Sequence, residues 1–320
     1  MTEGILDAAI LVRPLREADL DAADRVLRLA FGTFLGAPDP ARFMADIAYV
    51  RPRWRADPSA AFAADIGGDV VGSNFAANWG SVGFFGPLTV RPDLWDRGVA
   101  SRLMEPIMDR FSAWGIRQAG LFTFPHSPKH LSLYQKFGFW PGCLTAIMSR
   151  PVAAPDGAPQ WSRLSEIPPA EQPAMLARCR ELTDAVYDGL DVTHEMAAVE
   201  AHRLGESVLV WDDGRLAALA VCHYGAGTEG GSGSCYVKFG AARPGPRAGE
   251  RFDRLLDACA TLASREELPR LVAGVNTARH EAYRQLLARG FRTDRLGVAM
   301  HRGNDAGYNR PGVFVIDDWR

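Results

Sequence analysis

Gly86-Pro87-Leu88-Thr89-Val90-Arg91-Pro92-Asp93-Leu94-Trp95-Asp96-Arg97-Gly98-Val99-Ala100-Ser101-Arg102-Leu103 runs from a strand through a Pro-Asp turn into a helix that opens at about Gly98. Small residues at that opening let the free amides of the first helical turn approach an anion, and the helix dipole adds favourable charge. A diphosphate fits such a cradle, with Arg97, Arg102 or Arg91 as candidates to reach its oxygens. A plain strand–turn–helix corner, with Gly98 serving only the turn, reads equally well from this stretch alone. The sequence has no G-x-x-x-x-G-K-[ST], and no G-x-G-x-x-G follows its first strand, so two common nucleotide sites lack their signatures.

Outward from that stretch, the spacing predicts a strand over residues 9–14 and a helix over 17–31. Strands follow at 61–66, 70–77 and 82–90, then a helix from 98 to a stop at Gly115. A strand at 119–124, a helix over 128–137 and a strand at 144–149 close the first half. The second half repeats the order: helices at 170–187 and 193–204, strands at 208–211, 216–224 and 234–241. It continues with a helix at 249–263, a strand at 271–275, a helix at 281–289 and a strand at 296–301. Between the halves, residues 151–159 hold three prolines and a glycine with no apolar period, which reads as a linker. The expected organisation is therefore 1–150, a linker at 151–160, 161–302, and a tail at 303–320 with an edge strand at 312–316. The glycine-rich 225–233 is expected to be a flexible hairpin tip.

Size and composition agree with two α/β units. The chain has 320 residues, 47% hydrophobic and 23% charged, with 36 basic against 38 acidic side chains. That balance offers no electrostatic reason to expect nucleic acid or an anionic membrane. The opening residues lack a secretory pattern, and no apolar run approaches a membrane span. Five scattered cysteines without a C-x-x-C argue against a disulfide framework or zinc site and for a reducing, cytoplasmic setting. A homodimer stays open.

Downstream of the helix lies a second signal. Leu121-Phe122-Thr123-Phe124-Pro125-His126-Ser127-Pro128 leads into His130-Leu131-Ser132-Leu133-Tyr134-Gln135-Lys136-Phe137-Gly138-Phe139. With this helix the chain resembles the GNAT N-acetyltransferase family. The family's pyrophosphate loop reads Q/R-x-x-G-x-G/A and stands here as Trp95-Asp96-Arg97-Gly98-Val99-Ala100. Its later helix reads N-x-x-A-x-x-L-Y-x-K-x-G-F, which Leu133 to Phe139 match at every specified position. The likeness spans most of residues 9–150, in the family's order and spacing.

The resemblance implies a fold and a chemistry. Each half would be a mixed, largely antiparallel sheet whose two central parallel strands splay apart, flanked by helices. Acetyl-CoA would enter the gap, paired by the backbone of Leu88, Thr89 and Val90. The amides of Arg97, Gly98, Val99, Ala100 and Ser101 would hold its pyrophosphate, with Ser127 as a further polar anchor. A primary amine of a small molecule would attack the thioester directly in a ternary complex. Tyr134 would protonate the departing thiolate, since an ordinary phenol stays protonated at neutral pH. His126 is the candidate base, against a commoner role as a surface histidine; a water chain is the other route, and His130 has weaker support. Trp79, Phe84, Phe85 and Trp140 are candidates to line the acceptor pocket. Two departures stand out: Trp95 replaces the family's Gln or Arg, and Ser127 its Asn.

The second half keeps the order of elements but not these residues. Its loop is Pro246-Arg247-Ala248-Gly249-Glu250-Arg251, with arginine where a small residue is expected, and Leu286 stands at the position of Tyr134. Tyr283 lies one turn earlier. The expectation is a catalytic first domain and a second that closes its cleft. The competing readings are an acyl-CoA-binding module without activity and an acetyltransferase acting on a protein amine.

Overall fold

The first paired strands are largely apolar runs buried on both faces, at residues 61–65 and 70–75. The computed structural model describes residues 10–153 and 160–320. Strand β1 (Leu11–Pro14) is followed by helix α1 (Leu20–Phe34), which buries Leu20, Ala23, Leu27 and Ala30 along one stripe. A short helix α2 (Val50–Ala56), not foreseen, precedes the antiparallel β2 (Ala61–Ile66) and β3 (Asp69–Trp79). The expected single strand at 82–90 is two, β4 (Val82–Phe85) and β5 (Thr89–Val90). Gly86-Pro87-Leu88 interrupts it because proline cannot donate to a ladder. Then come α3 (Val99–Trp114), β6 (Gln118–Thr123), α4 (Pro128–Gln135) and β7 (Phe139–Pro151).

The second half follows with β8 (Trp161–Arg163), α5 (Gln172–Val186), α6 (Thr193–His202), β9 (Gly205–Asp212), β10 (Arg215–Gly225) and β11 (Gly231–Ala242). It ends with α7 (Ala248–Arg265), β12 (Arg270–Asn276), α8 (His280–Ala288), β13 (Arg292–Arg302) and β14 (Val315–Ile316). Most of the proposed linker, residues 154–159, lies outside the described residues.

All main strands join one sheet, in the order β1-β2-β3-β4-β6-β13-β7-β12-β11-β10-β9-β8. Among the described residues, only β4·β6 and β11·β12 are parallel. The two halves have exchanged their closing strands. β13, from the second half, pairs with β6 of the first, while β7 pairs with β12 of the second. β7 and β13 also pair with each other at the centre. Trp79, Val82 and Phe84 of the first half share a core with Leu190, Met196, Leu219 and Phe239 of the second.

Two sequence expectations are corrected. Residues 225–233 are not a free tip. Ala48 donates its amide to the Thr228 carbonyl at 2.9 Å, Gly227 to that of Asp46 at 2.8 Å, and Ser232 to the Asp46 carboxylate at 3.0 Å. The glycines serve this close docking: a Cβ at Gly231 would press on Ile47. The strand in the C-terminal tail, β14, does not lie at a sheet edge. It pairs with Gly240 and Ala241 of β11, past Val237 where β11 leaves β12. The tail then turns inward, burying Trp319 against Gly120 of β6, where any Cβ would collide with the indole.

A buried charge network joins the halves beside β4. Arg53 of α2 meets Glu229 at 3.0 and 3.2 Å. Lys238 of β11 donates to Glu229 at 2.9 Å and to Glu195 of α6 at 2.8 Å. Arg53 also donates to the carbonyl oxygens of Gly86 and Arg320.

Candidate functional site

The interruption at Gly86–Leu88 makes the site. β4 pairs in parallel with β6 from Val82 to Phe84, but among the described residues β5 pairs only with β3, through Gly72 and Ser73. The two directions diverge, and a cleft of about 600 Å³ opens between β5 and α4. Its walls include Leu88, Thr89, Val90, Gly98, Val99, Ala100 and Ser101, so the stretch that decides the fold also lines the cleft.

At the head of α3 the backbone is left-handed at Gly98, with φ 79°, a conformation glycine adopts without strain. The chain thereby enters the helix with no side-chain cap, leaving the first-turn amides unpartnered within the helix. Trp95 braces this loop: its Nε1 donates to the Val90 carbonyl at 2.8 Å. Lys129 lies over the Trp95 ring at 5.5 Å and pairs with Asp96 at 2.7 Å. Lys129 and Lys136, neither named as a site residue from the sequence, line the cleft, where Asp96 offsets one of the two charges. A phosphate-bearing ligand fits these donors. The arginines contribute less than expected. Arg91 is paired with Asp93 at 2.7 Å, Arg102 donates to the Ile10 carbonyl at 2.8 Å, and Arg97 is exposed outside the cleft wall.

Tyr134 stands where the cleft meets a second, smaller cavity of about 100 Å³ and lines both. Its ring is buried against Phe85 at 5.6 Å between centroids. Burial pushes its phenol above the ordinary value, with the Thr123 hydroxyl pulling partly the other way, so the group is protonated across the neutral range. His130 lies one helical turn before it, on the same face, and also lines both cavities. Its Nδ1 is buried without a partner. Burial, then the charges of Lys129 and His126, hold its pKa below that of an ordinary histidine, so the ring is neutral at pH 7.

The sequence favoured the other histidine. His126 is exposed, stacks on Phe34 at 5.8 Å, and lies outside both cavities. Ser127 is likewise outside them; its hydroxyl caps α4, accepting from the His130 amide at 3.4 Å. Of the four aromatics proposed for an acceptor wall, Phe85 alone lines the smaller cavity. Trp79 and Phe84 are core, and Trp140 is exposed. The i, i+4 spacing of His130 and Tyr134 on a helix was the available signal.

The smaller cavity is walled by both halves. Phe31, Leu35, Pro87 and Phe124 come from the first, Arg295, Trp319 and Arg320 from the second.

In the second half, the gap between diverging β11 and β12 holds the chain's own tail. The Phe314 carbonyl accepts from the Ala242 amide at 3.0 Å, and β14 runs along Gly240 and Ala241. The Phe314 ring packs on Phe252 near the head of α7. Arg251 turns back to the Arg243 carbonyl at 3.2 Å, and Leu286 is fully buried in the core.

Residues 24–139 match the model of the acetyltransferase (GNAT) family. Among solved structures, the chain is similar in fold to a putative acetyltransferase from Pyrococcus horikoshii. The TM-score is 0.68 at 12% identity, over 97% of this chain and 95% of that one. A GCN5-related N-acetyltransferase from Sphaerobacter thermophilus gives 0.61 at 16%, over 91% and 95%. A tandem GNAT protein from the clavulanic acid biosynthesis pathway gives 0.54 at 12%, over 92% and 98%. None of the curated proteins matches the sequence.

Proposed function

Since residues 24–139 match the model of the acetyltransferase (GNAT) family, we propose that this domain moves an acetyl group from acetyl-CoA to a primary amine of a small molecule, and that residues 161–302 are a degenerate second copy. One observation carries the reading: a cradle of free helix amides leads along a splayed strand to Tyr134, which also faces a second cavity suited to an acceptor.

The amides of Val99, Ala100 and Ser101, with Lys129 and Lys136, would hold the phosphates. The backbone of Leu88, Thr89 and Val90 would lie along the pantetheine arm. Acetyl-CoA supplies an activated thioester. The chain positions an amine from the smaller cavity for attack on its carbonyl carbon. The C–N bond forms as the C–S bond breaks. Tyr134 gives its proton to the departing sulfur, and His130 takes one from the amine nitrogen; exchange with water resets both. Because His130 titrates below an ordinary histidine, the acidic limb of the rate should lie below pH 6.5. A kcat/KM profile with its acidic limb at or above the ordinary histidine range would remove His130 from this role. The enclosure of the acceptor cavity by Trp319 and Arg320 favours a small acceptor over a protein chain.

Calorimetric titration of acetyl-CoA tests the assignment of the halves. One site per chain is expected, because β14 lies in the second gap. Two sites would overturn the reading of the second half as degenerate. Tight binding with no thiol release across an amine panel would favour a binding module instead.

A further inference from the structure

The acceptor cavity is largely apolar: among the described residues its lining includes aromatic and aliphatic groups and the two arginines Arg295 and Arg320, but no Asp or Glu side chain. Both arginines reach the first half's cavity from the second half, one by strand exchange and one by the tail. Arg320 is already committed. It pairs with Asp318 at 3.3 Å and stacks on the Tyr236 ring at 4.1 Å. Arg295 is exposed at the cavity wall and makes no ion pair or side-chain hydrogen bond among the described residues.

The register of β13 on β7 shows that the placement is specific. Thr293 stands opposite Met148, but Arg295, not Asp294, stands opposite Ile147, which itself lines the cavity. The extra residue is a β-bulge, and a bulge re-aims the side chains that follow it. Without it, Asp294 would share the face of Ile147; with it, Asp294 pairs with Arg270 at 2.9 Å and the cavity receives an arginine.

Resting on the acetyl-transfer reading above, we propose that the acceptor is a small amine that carries a carboxylate on an apolar body, and that Arg295 reads that carboxylate. The apolar body fits Phe31, Leu35, Phe124 and Trp319, and the carboxylate neutralises the unpaired guanidinium. A polyamine would instead bring further positive charge to a wall that holds two arginines and no Asp or Glu side chain among the described residues.

The test is thiol release from acetyl-CoA with apolar amino acids, each paired with its amide, and with spermidine as a polycation. The carboxylate member of a pair should be preferred by about 10-fold or more in kcat/KM, as for a charge-assisted pair. In Arg295→Gln that preference should collapse toward unity, mainly through a higher KM for the carboxylate member, and Arg295→Lys should restore part of it. Arg295 is exposed, so the variants are expected to fold, and an unchanged melting temperature checks this. Preference for the amides or spermidine, or a preference that survives Arg295→Gln, overturns the proposal while leaving acetyl transfer standing. Turnover of no amine, with acetyl-CoA binding intact, overturns both.

Discussion

Tyr134→Phe should slow thiol release about 10²- to 10⁴-fold, the range for loss of a positioned acid, while acetyl-CoA still binds. The substitution removes one oxygen from a ring otherwise held by packing on Phe85, so the fold should survive. The effect should fall on kcat, because the hydroxyl acts only as the sulfur departs. Burial raises the phenol's pKa, which by itself makes it a weaker donor. The same desolvation raises the basicity of the leaving thiolate, so proton transfer between them stays matched. No alkaline limb from Tyr134 is expected below about pH 10, the ordinary phenol value. Single-turnover thiol release checks the prediction, and a rate near that of the wild type would remove Tyr134 from its role.

Glu229→Ala should destabilise the folded chain by about 3–5 kcal/mol, as expected when one partner of a buried ion pair is removed. The loss leaves Arg53 without its carboxylate and Lys238 sharing only Glu195, in a site closed to water. Burial opposes the charge of Glu229, yet Arg53 and Lys238 outweigh it and hold its pKa at about 2. The folded value is depressed, so this stabilisation is complete above the unfolded carboxyl's pKa and is lost as pH falls toward 2. Urea unfolding of the wild type should therefore show stability falling below about pH 4.5, the ordinary carboxyl range. The variant should show a shallower acid slope. A loss under about 1 kcal/mol, within the range of exposed pairs, would mean that water reaches the network. Arg53 also holds the Gly86 carbonyl at the start of the splay, so acetyl transfer should weaken along with stability.

Much of the first half could be read locally. The strand, turn and helix from Gly86 to Leu103 and the face that carries Tyr134 depend on residues a few positions apart, where backbone preference and side-chain period decide the outcome. Even Trp95, a departure from the family pattern, keeps a local task, tying its loop to Val90. The break within 82–90 was missed although Pro87 marked it, because the β-branched pattern continues on both sides.

The two histidines differ for another reason. His126 and His130 have similar surroundings in sequence, and only packing shows that one faces water beside Phe34 while the other faces both cavities. Local sequence specified the alternating helices and strands of both halves, a glycine-opened helix head at α3 and a phenol on α4. Tertiary structure alone decided that the units exchange β7 and β13, that β14 fills the second gap, and that Arg295, Trp319 and Arg320 wall the first half's cavity. Those contacts join residues far apart in the chain. They follow from which strand edges and apolar faces remain unpaired once the local elements have formed, and from a one-residue bulge that no periodicity reveals.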